Sequence, residues 1–148
     1  LYEGGIRVPS VIEWPTIIRQ ARNTNYPVVT SDMYPTILDI LNITDPSTST
    51  KDGKSIWPVL QNDVESKRDA PIGFQSSFRG EMYQVWSDDQ FKLLHKVESD
   101  RWELYDLQND SREQHNVISS HTELAEEMKG ALLKWVQSCK EGFLNESN

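Results

Sequence analysis

The apolar positions change period along the chain, and each change predicts an element. Residues 6–14, IRVPSVIEW, form an apolar, β-branched run of the kind that fills a buried strand. Gly4 and Gly5 ahead of it permit a tight turn or the close approach of another backbone. Trp14-Pro15 ends it, because proline has no N–H to give a ladder. In SDMYPTILDILNI the spacing becomes helical, with Met33, Ile37, Leu38 and Leu41 on one face. Ser31 or Asp32 can cap this helix, and Pro35 is tolerated in its first turn. A surface loop, TDPSTSTKDGKS, follows, then a short apolar anchor, IWPVL, and a charged connection, QNDVESKRDA.

Beyond residue 66 the period falls to two. PIGFQSS, EMYQVWSD, FKLLHKV and WELYDL are short aromatic or β-branched segments separated by FRG, DDQ and ESD. Phe91, Leu93 and Val97 alternate with Lys92, Leu94 and Lys96, which predicts a strand with one wet face. Close segments joined by tight turns predict a four-stranded antiparallel meander. The last element, SHTELAEEMKGALLKWVQS, is helical, with Leu124, Met128, Ala131 or Leu132, and Trp135 at steps of three and four. Ser120 and Glu123 make a capping-box signature. The expected plan is therefore two units, 1–65 and 66–148. The first holds a strand and a helix that do not complete a layer. A buried-type strand without neighbours cannot satisfy its backbone groups, so it is expected to insert into a sheet encoded outside these residues.

Composition narrows the function classes. Of 148 residues 36% are apolar and five are Trp, which suits a surface-rich piece of a larger protein. The net charge of −8 is concentrated between Glu98 and Glu127, where nine acids face two bases. That excess argues against a binder of nucleic-acid backbones and for a solvated face. With Cys139 as the one cysteine, no internal disulfide framework or Cys-x-x-Cys motif is possible. No apolar run is long enough for a membrane span. Asn42, Asn109 and Asn145 head Asn-x-Ser/Thr sequons, candidate glycosylation sites on a secretory route.

Catalytic constellations are sparse. His95, His115 and His121 are the histidines, and no pair has zinc-ligand spacing. No serine sits in Gly-x-Ser-x-Gly. Asp39, Asp88, Asp89 and Asp106 could each orient a histidine, but spacing favours no set. KDGKS lacks the leading glycine of a phosphate loop and reads as a turn.

Five ordered motifs nevertheless resemble a known family. YEGGIRVPSVIEWP is similar to the Glu-Gly-Gly-x-Arg-x-Pro strand segment of type I sulfatases, the arylsulfatase-like branch of the alkaline phosphatase superfamily. VTSDMYPTILDIL resembles their Asp-x-x-Pro-Thr helix, and DGKSIWPVL their Asp-Gly-x-Ser-x-x-Pro-x-Leu segment. FKLLHK and then WELYDLQNDSREQHNV resemble their Tyr-Lys-Leu and Glu-Leu-Tyr-Asp-Leu-x-x-Asp-Pro-x-Glu-x-x-Asn hallmarks, with Ser111 in place of the proline.

The resemblance implies an α/β, alkaline phosphatase-like fold that is truncated here. An edge strand and helix of the large domain would be followed by the C-terminal sheet packed on a terminal helix. It implies a sulfuric ester hydrolase whose catalytic centre lies upstream: a formylglycine nucleophile, a calcium site and basic Lys and His residues. Residues 1–65 would close the catalytic domain, and 66–148 would form the C-terminal subdomain. The chain alone would be inactive, and Cys139 lies outside any Cys-x-Pro-x-Arg context. In the family it resembles, a hydrated formylglycine would supply the oxygen nucleophile, and a divalent cation and basic groups would neutralise charge on the sulfate oxygens. Within these residues, Glu3, Gly4, Gly5 and Arg7 are expected to support the active site, with Glu3 and Arg7 paired across the turn. Arg79, in the SSFRGEM turn, is the candidate contact for a sulfated small molecule or sugar. The expected partner is the upstream part of the same chain, in a secreted, lysosomal or periplasmic setting. Two alternatives stand beside it: a fragment of a phosphodiesterase or phosphonate hydrolase of the same superfamily, and a non-catalytic binding module.

Overall fold

A computed structural model describes residues 1–44, 53–61 and 68–145, with side chains to residue 142. The expected boundary at 65/66, much of both polar connections and the Asn145 side chain lie outside the described residues. The chain divides into two compact units, Pro9–Ala70 and Leu1–Val8 with Pro71–Asn148. Residues 1–8 thus group with the C-terminal sheet.

No strand forms at 6–14. Glu3–Ile6 makes a single helical turn, α1, and residues 7–14 carry neither helix nor strand. The run has strand composition, but a strand exists only through its ladder, and the described residues offer it none. Val8 and Val11 are left 76% and 94% exposed.

Within Pro9–Ala70 the fold is built on polar contacts. A 3-10 turn, Thr30–Asp32, leads into helix α2, Met33–Ile40, with Pro35 in its first turn as expected. The Asp32 carboxylate does not cap α2. It accepts the Val29 N–H (2.8 Å), the Lys54 N–H (2.8 Å) and both terminal nitrogens of Arg68 (2.8 and 2.9 Å). Thr36 is buried with it, donating to the Asp32 carbonyl (2.6 Å) and accepting the Ile56 N–H (3.0 Å). This network turns the predicted face of α2 outward, so that Met33, Ile37 and Leu41 are exposed. A carboxylate and a guanidinium buried at this depth must be paired, and Asp32 and Arg68 pair with each other. The IWPVL anchor is helix α3, Trp57–Leu60, with Ile56 and Val59 buried and Trp57 against Trp14 at 5.8 Å. Arg22 ties its end down by donating to the Val59 and Leu60 carbonyls.

The C-terminal unit matches its period. Strands β1 (Ile72–Phe78), β2 (Glu81–Ser87), β3 (Phe91–Lys96) and β4 (Arg101–Asp106) form one antiparallel meander in the order β1-β2-β3-β4. Arg79 and Gly80 both have positive φ (52° and 82°) at the β1–β2 hairpin tip, the backbone that a two-residue type I′ turn requires. Helix α4, Thr122–Asn145, lies on one face of the sheet. Ala125, Met128, Leu132 and Val136 bury against Leu93 and Leu104, with Leu124, Trp86, Trp102 and Trp135 around them. The capping box is not formed. Ser120 belongs to a separate 3-10 turn, Ile118–Ser120, and its hydroxyl donates to the Val117 carbonyl.

Gly73 shows what this packing demands. It pairs with Trp86 across the ladder, and a Cβ there would lie 2.5 Å from the Trp135 ring. Trp86 and Trp135 already touch at 6.0 Å. Gly73→Ala is therefore expected to displace the Trp135 ring and cost about 1–3 kcal/mol, read as a lowered melting temperature with a changed tryptophan emission.

Candidate functional site

The face of the sheet away from α4 is not wet. Alternation places Val85, Lys92, Leu94, Lys96, Glu103 and Tyr105 there, and Lys92, Val85 and Leu94 are fully buried. A lysine inside a strand is tolerated at this depth only if its charge is met. Two carboxylates meet it. Glu3 Oε1 lies 3.0 Å from the Lys92 ammonium and Glu113 Oε1 lies 2.8 Å from it. The second contact is off the hydrogen-bond direction and acts as an ion pair. The other Glu113 oxygen accepts the backbone N–H of Glu3.

Glu113 reaches this position through the loop after β4. Asp106 accepts the N–H groups of Gln108 and Asn109 and the Asn109 carboxamide, and so closes the first turn. Asp110 accepts the His115 N–H (2.7 Å) and closes the second. Within this second turn Glu113 adopts φ 55°, a left-handed backbone rare outside glycine, and its carboxylate meets Lys92. Asn116 then accepts the Leu104 N–H, and Val117 donates to the Leu104 carbonyl, covering the β4 edge.

A second cluster lies beside the first. Glu103 is buried and accepts hydrogen bonds from Tyr2 (2.7 Å), Tyr105 (2.9 Å) and Lys96 (3.1 Å), with Arg101 3.0 Å away. Burial pushes its carboxyl up, but the donors from Tyr2, Lys96 and Tyr105 outweigh that and hold it below the usual range. Burial, and then the Glu103 carboxylate, push the Tyr105 and Tyr2 phenols up. Burial lowers the Lys96 ammonium, yet its bonds to Tyr2 and Glu103 leave it raised. The Tyr2 ring packs edge-on to Tyr105 at 6.1 Å. Three carboxylates (Glu3, Glu103, Glu113) are thus balanced by three cations (Lys92, Lys96, Arg101).

The sequence-derived candidates fall unevenly on this site. Glu3 belongs to it, but its ion pair is with Lys92, not Arg7. The buried lysine is a better partner because an exposed pair of arginine and glutamate gains little in water. Gly4 and Gly5 form the middle of α1, and a Cβ on either would meet nothing within 4 Å. Arg79 is exposed at its hairpin tip, its guanidinium 5.1 Å from the Phe78 ring centroid. Asn42 is exposed with φ 53°, and Asn109 is exposed but engaged with Asp106. His95 stacks on Trp102 at 3.7 Å between Gln84 and Asp100, and His115 faces Asp110. Among the described residues no group of three or more His, Cys, Asp or Glu could hold a metal ion. Cys139 is exposed and in no disulfide among the described residues. Lys92, Glu103, Glu113 and Tyr2 escaped the sequence reading because alternation alone assigned Lys92 to solvent. The available signal was a lysine between two apolar neighbours, Phe91 and Leu93.

This arrangement positions backbone and neutralises charge. Its folds and motifs are shared. Ps i-CgsB has the same fold over 76% of this chain and 25% of its own, with TM-score 0.63 and 29% identity. The structure of BT4656 in complex with its substrate D-glucosamine-2-N,6-O-disulfate matches 74% of this chain and 24% of its own, with TM-score 0.59 and 25% identity. A sulfatase from Formosa agariphila is 31% identical over 154 residues, 91% of this chain and 28% of the relative. An N-acetylglucosamine-6-O-sulfatase from Bacteroides thetaiotaomicron is 30% identical over 80% of this chain and 22% of the relative. The fold is thus that of the C-terminal part of alkaline phosphatase-like sulfatases. The family described as N-sulphoglucosamine sulphohydrolase, C-terminal, matches residues 1–138, and the chain belongs to it. It spans about a quarter of the length of these curated relatives, 28% and 22%. No helix among the described residues is long and apolar enough to cross a membrane.

Proposed function

We propose that this chain is the C-terminal portion of a hydrolase that cleaves sulfate esters of sulfated sugars, with the catalytic centre carried upstream in the same polypeptide. The match of residues 1–138 to the sulphohydrolase C-terminal family carries the reading. The sugar preference is supported by the N-acetylglucosamine-6-O-sulfatase relative and by the neighbour bound to a disulfated glucosamine. In this reading formylglycine, calcium and the basic groups that meet the sulfate belong to the upstream part. Residues 1–148 alone are inactive. Arg79, exposed and cationic at the β1–β2 tip, contacts the sulfated substrate. The protein works in a secreted, lysosomal or periplasmic compartment. On a eukaryotic secretory route Asn42, which is exposed, carries glycan more readily than Asn109, which is held by Asp106.

The test is sulfate release from glucosamine 6-O-sulfate and glucosamine N-sulfate by the full-length protein, with bis(4-nitrophenyl) phosphate as the competing substrate. The expected result is sulfate turnover at least about a hundredfold faster than phosphodiester cleavage in kcat/KM. Arg79→Ala is expected to raise KM without lowering the melting temperature. Phosphodiester cleavage without sulfate release would place the protein among the phospho-enzymes instead.

A further inference from the structure

We infer that Lys92 is a positioning residue: with Glu113 it clamps the Tyr2–Gly5 turn onto the C-terminal sheet, and turnover depends on that clamp. The inference rests on the sulfatase reading above. Three separate contacts converge on two adjacent residues. The Tyr2 hydroxyl is held by Glu103, the Glu3 carboxylate by Lys92, and the Glu3 N–H by Glu113. Lys92 and Glu113 are buried, and Glu113 adopts a left-handed backbone to take part. A left-handed non-glycine residue persists only where its surroundings enforce it.

The turn that is clamped has no strength of its own. Two of the four residues of α1 are glycine, none is buried, and its first residue has no side-chain cap. Glycine weakens a helix, and four residues are too few to sustain one. The shape of α1 is therefore imposed by the clamp. Neither glycine has positive φ, and neither has a neighbour that a Cβ would strike. Stability would be served better by alanine at both positions. A weak turn held by buried charges on two adjacent residues is the design of a backbone whose placement matters more than its own stability. Under the proposed function the catalytic groups lie on the chain that runs into Leu1, and the clamp fixes where that chain meets this unit. Misplacement by about 1 Å far from the chemistry can cost about a hundredfold in rate.

The experiment uses the full-length protein with Lys92→Met, which keeps length and removes charge, and Leu132→Ala as a control. Leu132 projects from α4 onto the opposite face of the same sheet. Three readouts are taken: melting temperature, kcat and KM for glucosamine 6-O-sulfate, and hydrogen exchange of the peptide spanning residues 2–6. Lys92→Met is expected to speed exchange at 2–6 and to lower kcat by about tenfold or more, with KM shifted by less than about threefold. Leu132→Ala, at an equal or larger loss of melting temperature, is expected to leave both kcat and exchange at 2–6 near wild type. Equal kcat in the two variants overturns the positioning role, and unchanged exchange at 2–6 overturns the clamp. If Lys92→Met does not fold, Glu113→Gln replaces it. That variant keeps an acceptor for the Glu3 N–H, and the same pattern is expected at smaller amplitude. A wild-type protein that releases no sulfate overturns the sulfatase reading and the turnover dependence with it, while the exchange readout still decides the clamp.

Discussion

Asp32→Ala is expected to destabilise the Pro9–Ala70 unit by about 3–5 kcal/mol, the usual cost of removing one partner from a buried ion pair. The substitution strands the Arg68 guanidinium, whose side chain is 3% exposed. It also leaves the Val29 and Lys54 N–H groups without the acceptor they share. Loss of the pair removes the anchor that holds Arg68 against the start of α2, so faster hydrogen exchange is expected from Thr30 through Ile40. Asp32→Asn is expected to cost less, because a carboxamide oxygen still accepts one N–H. The pH dependence has a definite sign. Burial pushes the Asp32 carboxyl up, but hydrogen bonds from Arg68, Val29 and Lys54 outweigh it and hold it below the ordinary 3.8. A depressed aspartate contributes stability that is complete above its unfolded value and lost as pH falls through its folded value. Acid titration of the wild type is therefore expected to loosen this unit below pH 3.8, and the Asp32→Ala variant is expected to lack that step.

Leu132→Ala is the second large effect, expected at about 2–5 kcal/mol. Leu132 is fully buried between α4 and the sheet, in the cluster that includes Leu93, Leu104 and Met128. Truncation removes its transfer energy and leaves a cavity floored by β-strands that cannot close on it. The loss is read in the melting temperature of the full-length protein. Leu133, one position on and 52% exposed, is the internal comparison, and Leu133→Ala is expected to stay within about 0.5 kcal/mol.

These two residues also show what could be read from sequence. Leu132 was legible as one of two alternatives with Ala131 on the helical stripe, and the structure buries Leu132. The order of the strands followed from short turns between alternating segments. Asp32 was legible only as a cap, since its partner Arg68 lies 36 residues away and no periodicity links them. Ile37 and Leu41 are exposed while the buried positions, Asp32 just before α2 and Thr36 within it, are polar, which the apolar stripe did not signal. The run at 6–14 has the composition of a strand, yet hydrogen-bonded neighbours make a strand, and composition does not supply them. Lys92 was assigned to solvent by its alternation. Its burial depends on Glu3 and Glu113, which lie 110 residues apart in the chain. Short-period signals set the sheet and its helix, whereas the buried charges are set by tertiary contacts that leave no spacing to detect.

Sulfate released from a sulfated glucosamine, assayed for the full-length polypeptide beside residues 1–148 purified alone, tests the central claim most directly. Multiple turnovers are expected from the full-length protein, and none above the solvent background from residues 1–148. Turnover by the isolated residues, or a well-folded full-length protein that releases no sulfate, would contradict the account.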